Sequence, residues 1–341
     1  MSVFIIAEAG SNWFAGEVPS EGAGTLQFAR AWALIEAAAE AGADACKFQV
    51  FSSASVYAPQ AGAFENLGDV NALFKKLEMP KEWLPDLAAH CAKHEVEFMA
   101  SVFSIEDLRA VNPFVRRHKI ASYELGHREL IKAALDTGKE VIVSTGAATA
   151  EEVERLTFAF PTARLRMLHC VAAYPAPAEE LRLGIIRACS CQDVTDYDGY
   201  SDHSLDPVVA PLLAVALGAE IIEKHFTLSR KLCGPDHAFA LEPAELKEMV
   251  RAIRLAESML GDDDGKCVMP CEEKLRRFAV RTVQATRNIG RGDAFTRDNI
   301  AVLRPGNREP GAHGEDFERV LGRRAVCDIA AGDGVTLKDT L

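Results

Sequence analysis

Short apolar runs alternate with longer segments of helical periodicity through the first three-quarters of the chain. Each run spans four to six residues, ends at or near a polar residue or Gly, and precedes an Ala- and Leu-rich stretch. Apolar runs of this length are typical of buried strands, whereas apolar positions that recur every three or four residues predict helices. The predicted strands are Val3–Ala7, Ala45–Val50, Glu97–Val102, Val115–Ile120, Glu140–Ser144, Arg164–His169, Val194–Gly199 and Glu220–Glu223.

Eight strand-then-helix units in this order predict an α/β protein built as a closed (β/α)8 TIM barrel. An open doubly wound sheet is the alternative. Such a sheet usually carries GxGxxG after its first strand, and this chain has Ala9-Gly-Ser-Asn12 there. The predicted helices include Thr25–Ala41, Leu84–Lys93, Ala150–Phe158, Pro207–Leu217 and Pro243–Leu260.

The pattern changes after Arg276 to short alternating segments separated by Gly-Asp turns, as in Ile300–Arg304 and Arg324–Ile329. This change predicts a small, mostly β domain that buries little core of its own and leans on another surface. The predicted division is a barrel over residues 1–260, a linker over 261–277 that begins with an acidic Gly-rich run, and the small domain over 278–341.

The composition is that of an ordinary globular protein, with 48% hydrophobic and 26% charged residues among 341. A net charge of −12 argues against nucleic acid or anionic membranes as partners. No apolar run approaches the ~18 residues of a membrane-spanning helix. The first residues also lack the basic region of a signal peptide. We therefore expect a cytoplasmic protein with no nucleic-acid or membrane partner.

The nine cysteines are odd in number and most of them lie singly in apolar runs. This usage is typical of buried thiols in a reducing compartment rather than of a disulfide framework. Two close pairs, Cys189/Cys191 and Cys267/Cys271, could bind zinc as an alternative. Neither pair is followed by a second pair of Cys or His ligands at the spacing of a zinc finger.

Polar side chains concentrate where the predicted strands end, and these ends form the active-site mouth of a barrel. His203 follows strand seven and His225 follows strand eight, so two imidazoles can converge there on a divalent ion such as Mn²⁺, Zn²⁺ or Fe²⁺. Two separately hydrogen-bonded histidines are the alternative. His169 lies in an apolar run and is expected to be a core histidine rather than a third ligand.

Two lysines, Lys47 and Lys119, lie in or at the ends of predicted strands, where an unpaired ammonium group would be costly. With nearby hydroxyls they suit a phosphate or carboxylate ligand. Each lysine could instead pair with a carboxylate of a neighbouring strand, or one could form a Schiff base. The flanking hydroxyls belong to Ser101, Ser122, Ser144 and Ser201.

Three carboxylates also lie at strand ends or in a turn: Glu8, Glu124 and Asp236. Glu124 follows Lys119 by five positions and could act as a general base or orient a water. Asp236 lies in Gly234-Pro-Asp-His237, which could equally be plain turn chemistry.

These residues lie in strings that resemble the sialic acid synthase (N-acetylneuraminate synthase) family over nearly the whole chain. The resemblance implies a TIM barrel followed by an antifreeze-like (SAF) domain, in a domain-swapped homodimer where that domain caps the partner's active site. The strings are Ile6-Ala-Glu-Ala-Gly10, Ala41-Gly-Ala-Asp-Ala-Cys-Lys-Phe-Gln49, Lys119-Ile-Ala-Ser122, Val143-Ser-Thr-Gly146, Leu168-His-Cys-Val171, Tyr174-Pro-Ala-Pro177, Gly199-Tyr-Ser-Asp-His203, Ile222-Glu-Lys-His-Phe-Thr227, Gly234-Pro-Asp-His237 and Arg304-Pro-Gly-Asn307.

Family chemistry condenses phosphoenolpyruvate (PEP) with an amino-sugar aldehyde and releases phosphate, for surface polysaccharide biosynthesis. The resemblance implies that His203 and His225 bind a Mn²⁺-type ion and that Glu124 lies near the reacting carbons. Arg304 would reach the sugar from the partner subunit. The implied PEP-binding residues are Lys47, Ser101, Lys119, Ser122, Ser144 and Ser201. The implied sugar-binding residues are Glu8, Gln49, Phe103, Tyr174, Asp236 and Arg304.

Departures from the family pattern fall near the expected acceptor sugar. Trp13 and Phe14 replace a His and an Asn of the first loop, Tyr123 replaces a Gly, and Arg182 lies where Asn is usual. We therefore expect an N-acetylmannosamine-like or modified hexose as the acceptor, with a nonulosonic acid as the product. A Schiff-base aldolase and a non-catalytic sugar- or PEP-binding relative remain the alternative functions.

Overall fold

The chain folds into two compact units, Met1–Gly261 and Asp262–Leu341, each with its own hydrophobic core. The predicted pair Cys189/Cys191 lies outside the described residues. The computed structural model describes residues 2–16, 23–64, 68–186, 197–261 and 265–341.

The first unit is a closed barrel of eight parallel strands paired in chain order, with β8 returning to β1. The predicted TIM barrel is therefore confirmed. The strands are β1 (Phe4–Gly10), β2 (Ala45–Val50), β3 (Glu97–Val102), β4 (Arg117–Ile120), β5 (Glu140–Ser144), β6 (Leu165–Cys170), β7 (Gly199–Asp202) and β8 (Ile221–His225).

Strand β7 begins later than the sequence predicts, at Gly199 rather than Val194. A Cβ atom at Gly199 would lie 2.2 Å from the carbonyl oxygen of Ile221, so only glycine lets β7 approach β8 at this point. Residues 194–196 of the predicted strand lie outside the described residues.

Helices surround the barrel and bury its outer face in a continuous apolar core. Some begin at side-chain caps, as where the Thr149 side chain accepts from the Glu152 amide and Glu152 bonds back to Thr149. The helices of this unit are α1 (Ala23–Ala41), α2 (Val70–Lys76), α3 (Leu84–Lys93), α4 (Ile105–Val111), α5 (Arg128–Asp136), α6 (Ala150–Ala159), α7 (Val209–Ala216) and α8 (Pro243–Leu260).

Side chains inside the barrel lie in layers because strand residues alternate between the two faces of the sheet. One interior layer is apolar, and the residues two positions further along the strands form a polar layer above it. The apolar layer is Ile6, Ala45, Met99, Ile142, Leu168 and Ile221. The polar layer is Glu8, Lys47, Ser101, Lys119, Ser144, Ser201 and Glu223.

The opposite, N-terminal end of the barrel is closed by ion pairs. Arg117 bonds to Glu97 at 3.0 Å and to Glu140 at 2.9 Å, and its guanidinium lies 4.1 Å from the centre of the Phe4 ring. Groups at this end stabilise a barrel, whereas the strand C-termini carry its chemistry.

The second unit pairs β9 (Thr282–Ala285) with β10 (Ile300–Leu303) as an antiparallel sheet over a small core that includes Val283 and Phe295. It also contains the helices α9 (Glu273–Ala279) and α10 (Phe317–Val320). Helix α9 lies across the end of the predicted linker and the start of the predicted domain.

The seven cysteines of the described residues are free thiols, and Cys267 and Cys271 are exposed. None of the described helices is long and apolar enough to span a bilayer.

Candidate active site

The polar layer brings both predicted lysines into one buried ion network. Lys47 Nζ lies 3.5 Å from Glu223 Oε2 and forms a shorter ion pair with Glu8. Lys119 Nζ lies 3.8 Å from the other oxygen of Glu223. Lys47 therefore pairs with a carboxylate of its neighbouring strand, one of the alternatives that the sequence left open, whereas Lys119 pairs with a carboxylate of the distant strand β8. Glu223 joins them across the barrel interior.

Burial and the neighbouring charges shift the pKa values of this network in opposite directions. Burial raises the pKa of Glu8 to about 7, although the Lys47 ammonium acts to lower it. Burial lowers the pKa of Lys119, and the attraction of Glu223 only partly offsets it. For Lys47 burial is outweighed by Glu223 and Glu8, which raise its pKa. With Glu8 protonated and both lysines charged, the layer would hold two positive charges against the one negative charge of Glu223.

Three serines complete the layer. Ser101 Oγ accepts from Lys47 Nζ at 3.0 Å, and Ser144 Oγ accepts from Lys119 Nζ at 2.8 Å. Because each of these two oxygens receives a proton from a lysine, its own O–H stays available to donate to an anion. Ser201 donates to Glu223 at 2.9 Å.

The two predicted histidines converge as expected, with ring centroids 5.4 Å apart. His203 Nδ1 donates to the Val171 carbonyl at 2.8 Å, which fixes the proton there and leaves Nε2 with a lone pair. Burial lowers the pKa of both rings, that of His225 well below its usual value. His225 Nδ1 is buried without a hydrogen-bond partner among the described residues. Two neutral imidazoles with free nitrogens fit a nitrogen-binding divalent ion.

Aromatic rings pack against both histidines. The Tyr174 ring lies 4.3 Å from that of His203, and the Phe239 ring lies 5.1 Å from that of His225. Burial raises the pKa of the Tyr174 hydroxyl, and Tyr123, which is two-thirds exposed, adds to this rise. The tyrosines thus flank the entrance above the histidines.

Three predicted sugar-binding groups surround Gly10. A Cβ atom at Gly10 would lie 3.0 Å from Asp236 Oδ2, 3.3 Å from Glu8 Oε1 and 3.4 Å from Gln49 Nε2. Gly10 also has a φ of +53°, so a side chain there would be strained as well as crowded. Burial raises the pKa of Asp236 to about 6. The arrangement offers both donors and acceptors to a polyhydroxyl ligand.

Glu124 lies beyond β4 in a one-turn segment, Ser122–Glu124. Its Oε2 is buried without a hydrogen-bond partner among the described residues. Burial raises the pKa of this carboxyl to about 7, with Lys119 opposing. A carboxyl with this pKa can exchange a proton near neutrality, as a general base must.

A cavity of about 380 Å³ lies between the β4–α5 and β5–α6 loops, and its lining includes Tyr123 and Leu125 on either side of Glu124 in the chain. Ser122 lies on its wall and accepts from the Gly146 amide at 3.0 Å. Arg128 and Arg155 also line the cavity. Both arginines are exposed and neither drew attention in the sequence.

The remaining predicted residues are described by their own surroundings. Phe103 packs edge-on against the buried Phe51, with centroids 5.4 Å apart. Arg304 is exposed in the second unit. Trp13 and Phe14 are buried, and Trp13 packs edge-on against Trp83 at 5.4 Å. These two rings therefore belong to the core, whereas the sequence placed their bulk near the sugar.

Sequence reasoning missed Glu223 and Phe239. Alternation along β8 directs Glu223 and His225 to the barrel interior, and it turns Lys224 outward to Asp202 at 2.6 Å. This period-2 signal was present in the sequence. His169 donates to the Leu181 carbonyl at 2.7 Å and is a core histidine, as predicted.

Comparison with known families identifies this arrangement. The model described as NeuB family matches residues 34–265, and that of the SAF domain matches residues 280–339. The chain belongs to the NeuB family. The predicted resemblance and an enzyme of the sialic acid synthase type are thereby confirmed.

The NeuB relatives are similar over almost their full lengths. The chain is 40% identical to the spore coat polysaccharide biosynthesis protein SpsE of Bacillus subtilis, across 99% of this chain and 94% of the relative. It is 33% identical to a pseudaminic acid synthase of Campylobacter jejuni, across 99% and 96%. A crystal structure of N-acetylneuraminic acid synthetase from Leptospira borgpetersenii in complex with citrate is 33% identical, covers 81% of this chain and 90% of its own, and has a TM-score of 0.67.

Proposed function

We propose that this protein condenses PEP with an amino-sugar aldehyde to form a nonulosonic acid and release phosphate. The reaction joins C3 of PEP to the aldehyde carbon, adds a water oxygen to C2 and breaks the bond from C2 to the phosphate oxygen. The aldehyde oxygen gains a proton and becomes a hydroxyl. The observation that carries this proposal is the buried layer of two lysines and three serines beside two neutral histidines.

PEP would sit above the polar layer. Ser101 and Ser144 would donate to its phosphate or carboxylate oxygens, because each hydroxyl already accepts from a lysine that polarises it. Ser122 would add a donor, because its hydroxyl only accepts from the Gly146 amide, whereas Ser201 would have to turn its hydroxyl away from Glu223 to donate to PEP. Glu223 would hold both lysines in place, so that their ammonium groups are already positioned when the PEP anion binds.

The acceptor sugar would occupy the space around Gly10, where Glu8, Gln49 and Asp236 converge. Tyr174 would cover it from the entrance, while Phe103 and Arg304 are further proposed contacts. Curated relatives include synthases of pseudaminic and N,N'-diacetyllegionaminic acids. We therefore propose a 2-acetamido or 2,4-diacetamido hexose as acceptor.

His203 and His225 would bind a divalent ion, and we propose that this ion is Mn²⁺. When bound, such an ion polarises the acceptor carbonyl and supplies positive charge for the developing alkoxide. Glu124, with its pKa of about 7, would take a proton from the water that adds to C2 of PEP. Closely packed rings of Tyr174 and Phe239 would limit access of bulk water to the histidines.

We further propose a homodimer in which the second unit of one chain caps the barrel of its partner and supplies Arg304. The second unit exposes apolar side chains that a partner surface could cover, among them Met269, Leu275 and Phe278. Seven free cysteines in the described residues support a reducing, cytoplasmic location. Sedimentation velocity would give the mass, and a monomer at micromolar concentration would contradict the dimer.

The deciding experiment measures phosphate release from PEP with Mn²⁺ across a panel of 2-acetamido and 2,4-diacetamido hexoses. Metal-dependent release with one sugar supports the reaction and identifies the acceptor. If no sugar of the panel causes phosphate release although calorimetry shows PEP binding, a non-catalytic relative would be favoured. Borohydride trapping of a lysine with a carbonyl substrate would favour the Schiff-base aldolase, for which the lowered pKa of Lys119 makes it the candidate nucleophile.

A further inference from the structure

Three metal-ligating side chains meet in the outer helical layer. Glu36 belongs to α1, His90 belongs to α3, and His94 follows the last residue of α3. Helices of a (β/α)8 barrel run antiparallel to its strands, so the C-terminal ends of α1 and α3 lie toward the end opposite the active-site mouth. This cluster is therefore separate from the predicted ligands His203 and His225.

The distances within the cluster suit coordination of one ion. His90 Nε2 lies 3.1 Å from Glu36 Oε1, and His94 Nε2 lies 3.9 Å from the same oxygen. The ligand atoms of the three side chains all lie within 4.8 Å of one another. Tetrahedral Zn²⁺ with bonds of 2.0–2.1 Å separates its ligand atoms by roughly 3.3–3.4 Å. A pair of ligand atoms 4.8 Å apart would have to approach by about 1.5 Å to reach that spacing.

Hydrogen bonding within the cluster is incomplete. His94 Nε2 is buried and has no hydrogen-bond partner among the described residues. Its 3.9 Å separation from Glu36 exceeds hydrogen-bond length. His90 and His94 are four positions apart, so they emerge on the same face of α3, and their rings lie 4.6 Å apart. A bound ion would satisfy the orphaned nitrogen and the shared carboxylate together.

We propose that Glu36, His90 and His94 bind a divalent transition-metal ion of the Zn²⁺ class and fasten α1 to α3. Two imidazoles and one carboxylate are a donor set that Zn²⁺, Ni²⁺ and Cu²⁺ accept, whereas Ca²⁺ and Mg²⁺ prefer oxygen ligands alone. A water would complete the shell, because Glu36 is half-exposed. The role is structural, and it does not rest on the proposed reaction.

Trp32 provides a spectroscopic reporter of this site. Its ring stacks on His90 with an interplanar angle of 4° and a centroid distance of 4.4 Å. Paramagnetic Ni²⁺ or Cu²⁺ bound to the His90 imidazole would quench the fluorescence of Trp32 at this distance. Zn²⁺ has no unpaired electrons and would bind without comparable quenching.

The test compares the full-length protein with His94→Ala and with Lys93→Ala as a matched control on the exposed face of the same helix. Exposed thiols are first blocked with iodoacetamide, and bound Zn²⁺ is counted after equilibrium dialysis. His94→Ala should bind one Zn²⁺ fewer per chain than the wild type and the control. It should also lose Ni²⁺ quenching of Trp32, and its Tm should rise by about 5–10 °C less than that of the wild type with Zn²⁺ at a hundredfold excess over the Kd of this site.

Equal stoichiometry, quenching and Tm shift in His94→Ala and Lys93→Ala would overturn the site. A second comparison adds His94→Ala to a chain that already carries His203→Ala and His225→Ala. Loss of one Zn²⁺ there again supports the site, and no loss contradicts it. Because the active-site histidines are absent from both members of this pair, the result is independent of whether they bind metal.

Discussion

Replacement of Glu124 by Gln should stabilise the protein above neutral pH while impairing catalysis. The folded protein raises the pKa of this carboxyl from an ordinary 4.5 to about 7, mainly by burial. Below pH 4.5 the group is protonated in both the folded and the unfolded chain. As pH rises from 4.5 to 7, the unfolded chain loses this proton first, so the free energy of unfolding falls. A pKa change of this size corresponds to about 3 kcal/mol of lost stability at pH 8.

Urea unfolding of the barrel at pH 4.5, 6 and 8 measures this directly. The free energy of unfolding of Glu124→Gln minus that of the wild type should increase by about 3 kcal/mol from pH 4.5 to pH 8. Glu129→Gln, an exposed change on α5, is the matched control and should show no comparable pH dependence. A difference for Glu124→Gln that is constant with pH would refute the raised pKa.

The same variant tests the catalytic role of Glu124. If the ionised carboxylate accepts a proton from water, kcat/KM of the wild type should rise with pH and level off above about 7. Glu124→Gln should lower kcat by about 10²- to 10⁴-fold and remove that rise. Wild-type turnover and an unchanged pH profile in the variant would exclude Glu124 as the general base.

Three further changes probe other parts of the site. His203→Ala or His225→Ala should abolish metal-dependent turnover and leave the circular dichroism spectrum unchanged; metal dependence retained in both would exclude the two-histidine site. Arg304→Ala should raise KM for the sugar at least tenfold with little effect on KM for PEP, and equal effects on both would argue against its role in sugar binding. Replacing Trp13 and Phe14 by His and Asn should reduce the free energy of unfolding by about 3 kcal/mol or more, because both rings are buried. A variant that keeps its stability and accepts a different sugar would instead show that these residues contribute to sugar binding.

The barrel and much of its chemistry could be predicted from the sequence because both follow local rules. Strand periodicity gave eight units in the correct order, and polar residues at strand ends marked the mouth. Lys47, Lys119, His203 and His225 were found this way. Alternation along β8 would also have found Glu223, since it lies two positions before His225 and faces the same side.

Other features depend on contacts between distant parts of the chain. Nothing local shows that the Trp13 ring packs against Trp83 rather than facing the sugar. The approach of Glu36 to His90, 54 positions away, likewise follows only from the packing of α1 beside α3. The need for glycine at position 199 follows only from its close approach to Ile221 of β8.

The most direct test of the proposed reaction follows the carbon atoms of PEP. The protein is incubated with [3-¹³C]PEP, Mn²⁺ and the acceptor found in the panel, and the product is examined by ¹³C NMR and mass spectrometry. We expect the label to enter a methylene group bonded to the former aldehyde carbon, with one phosphate released per labelled 2-keto acid. Labelled pyruvate together with unchanged sugar would show hydrolysis of PEP without carbon–carbon bond formation and would contradict the proposed function.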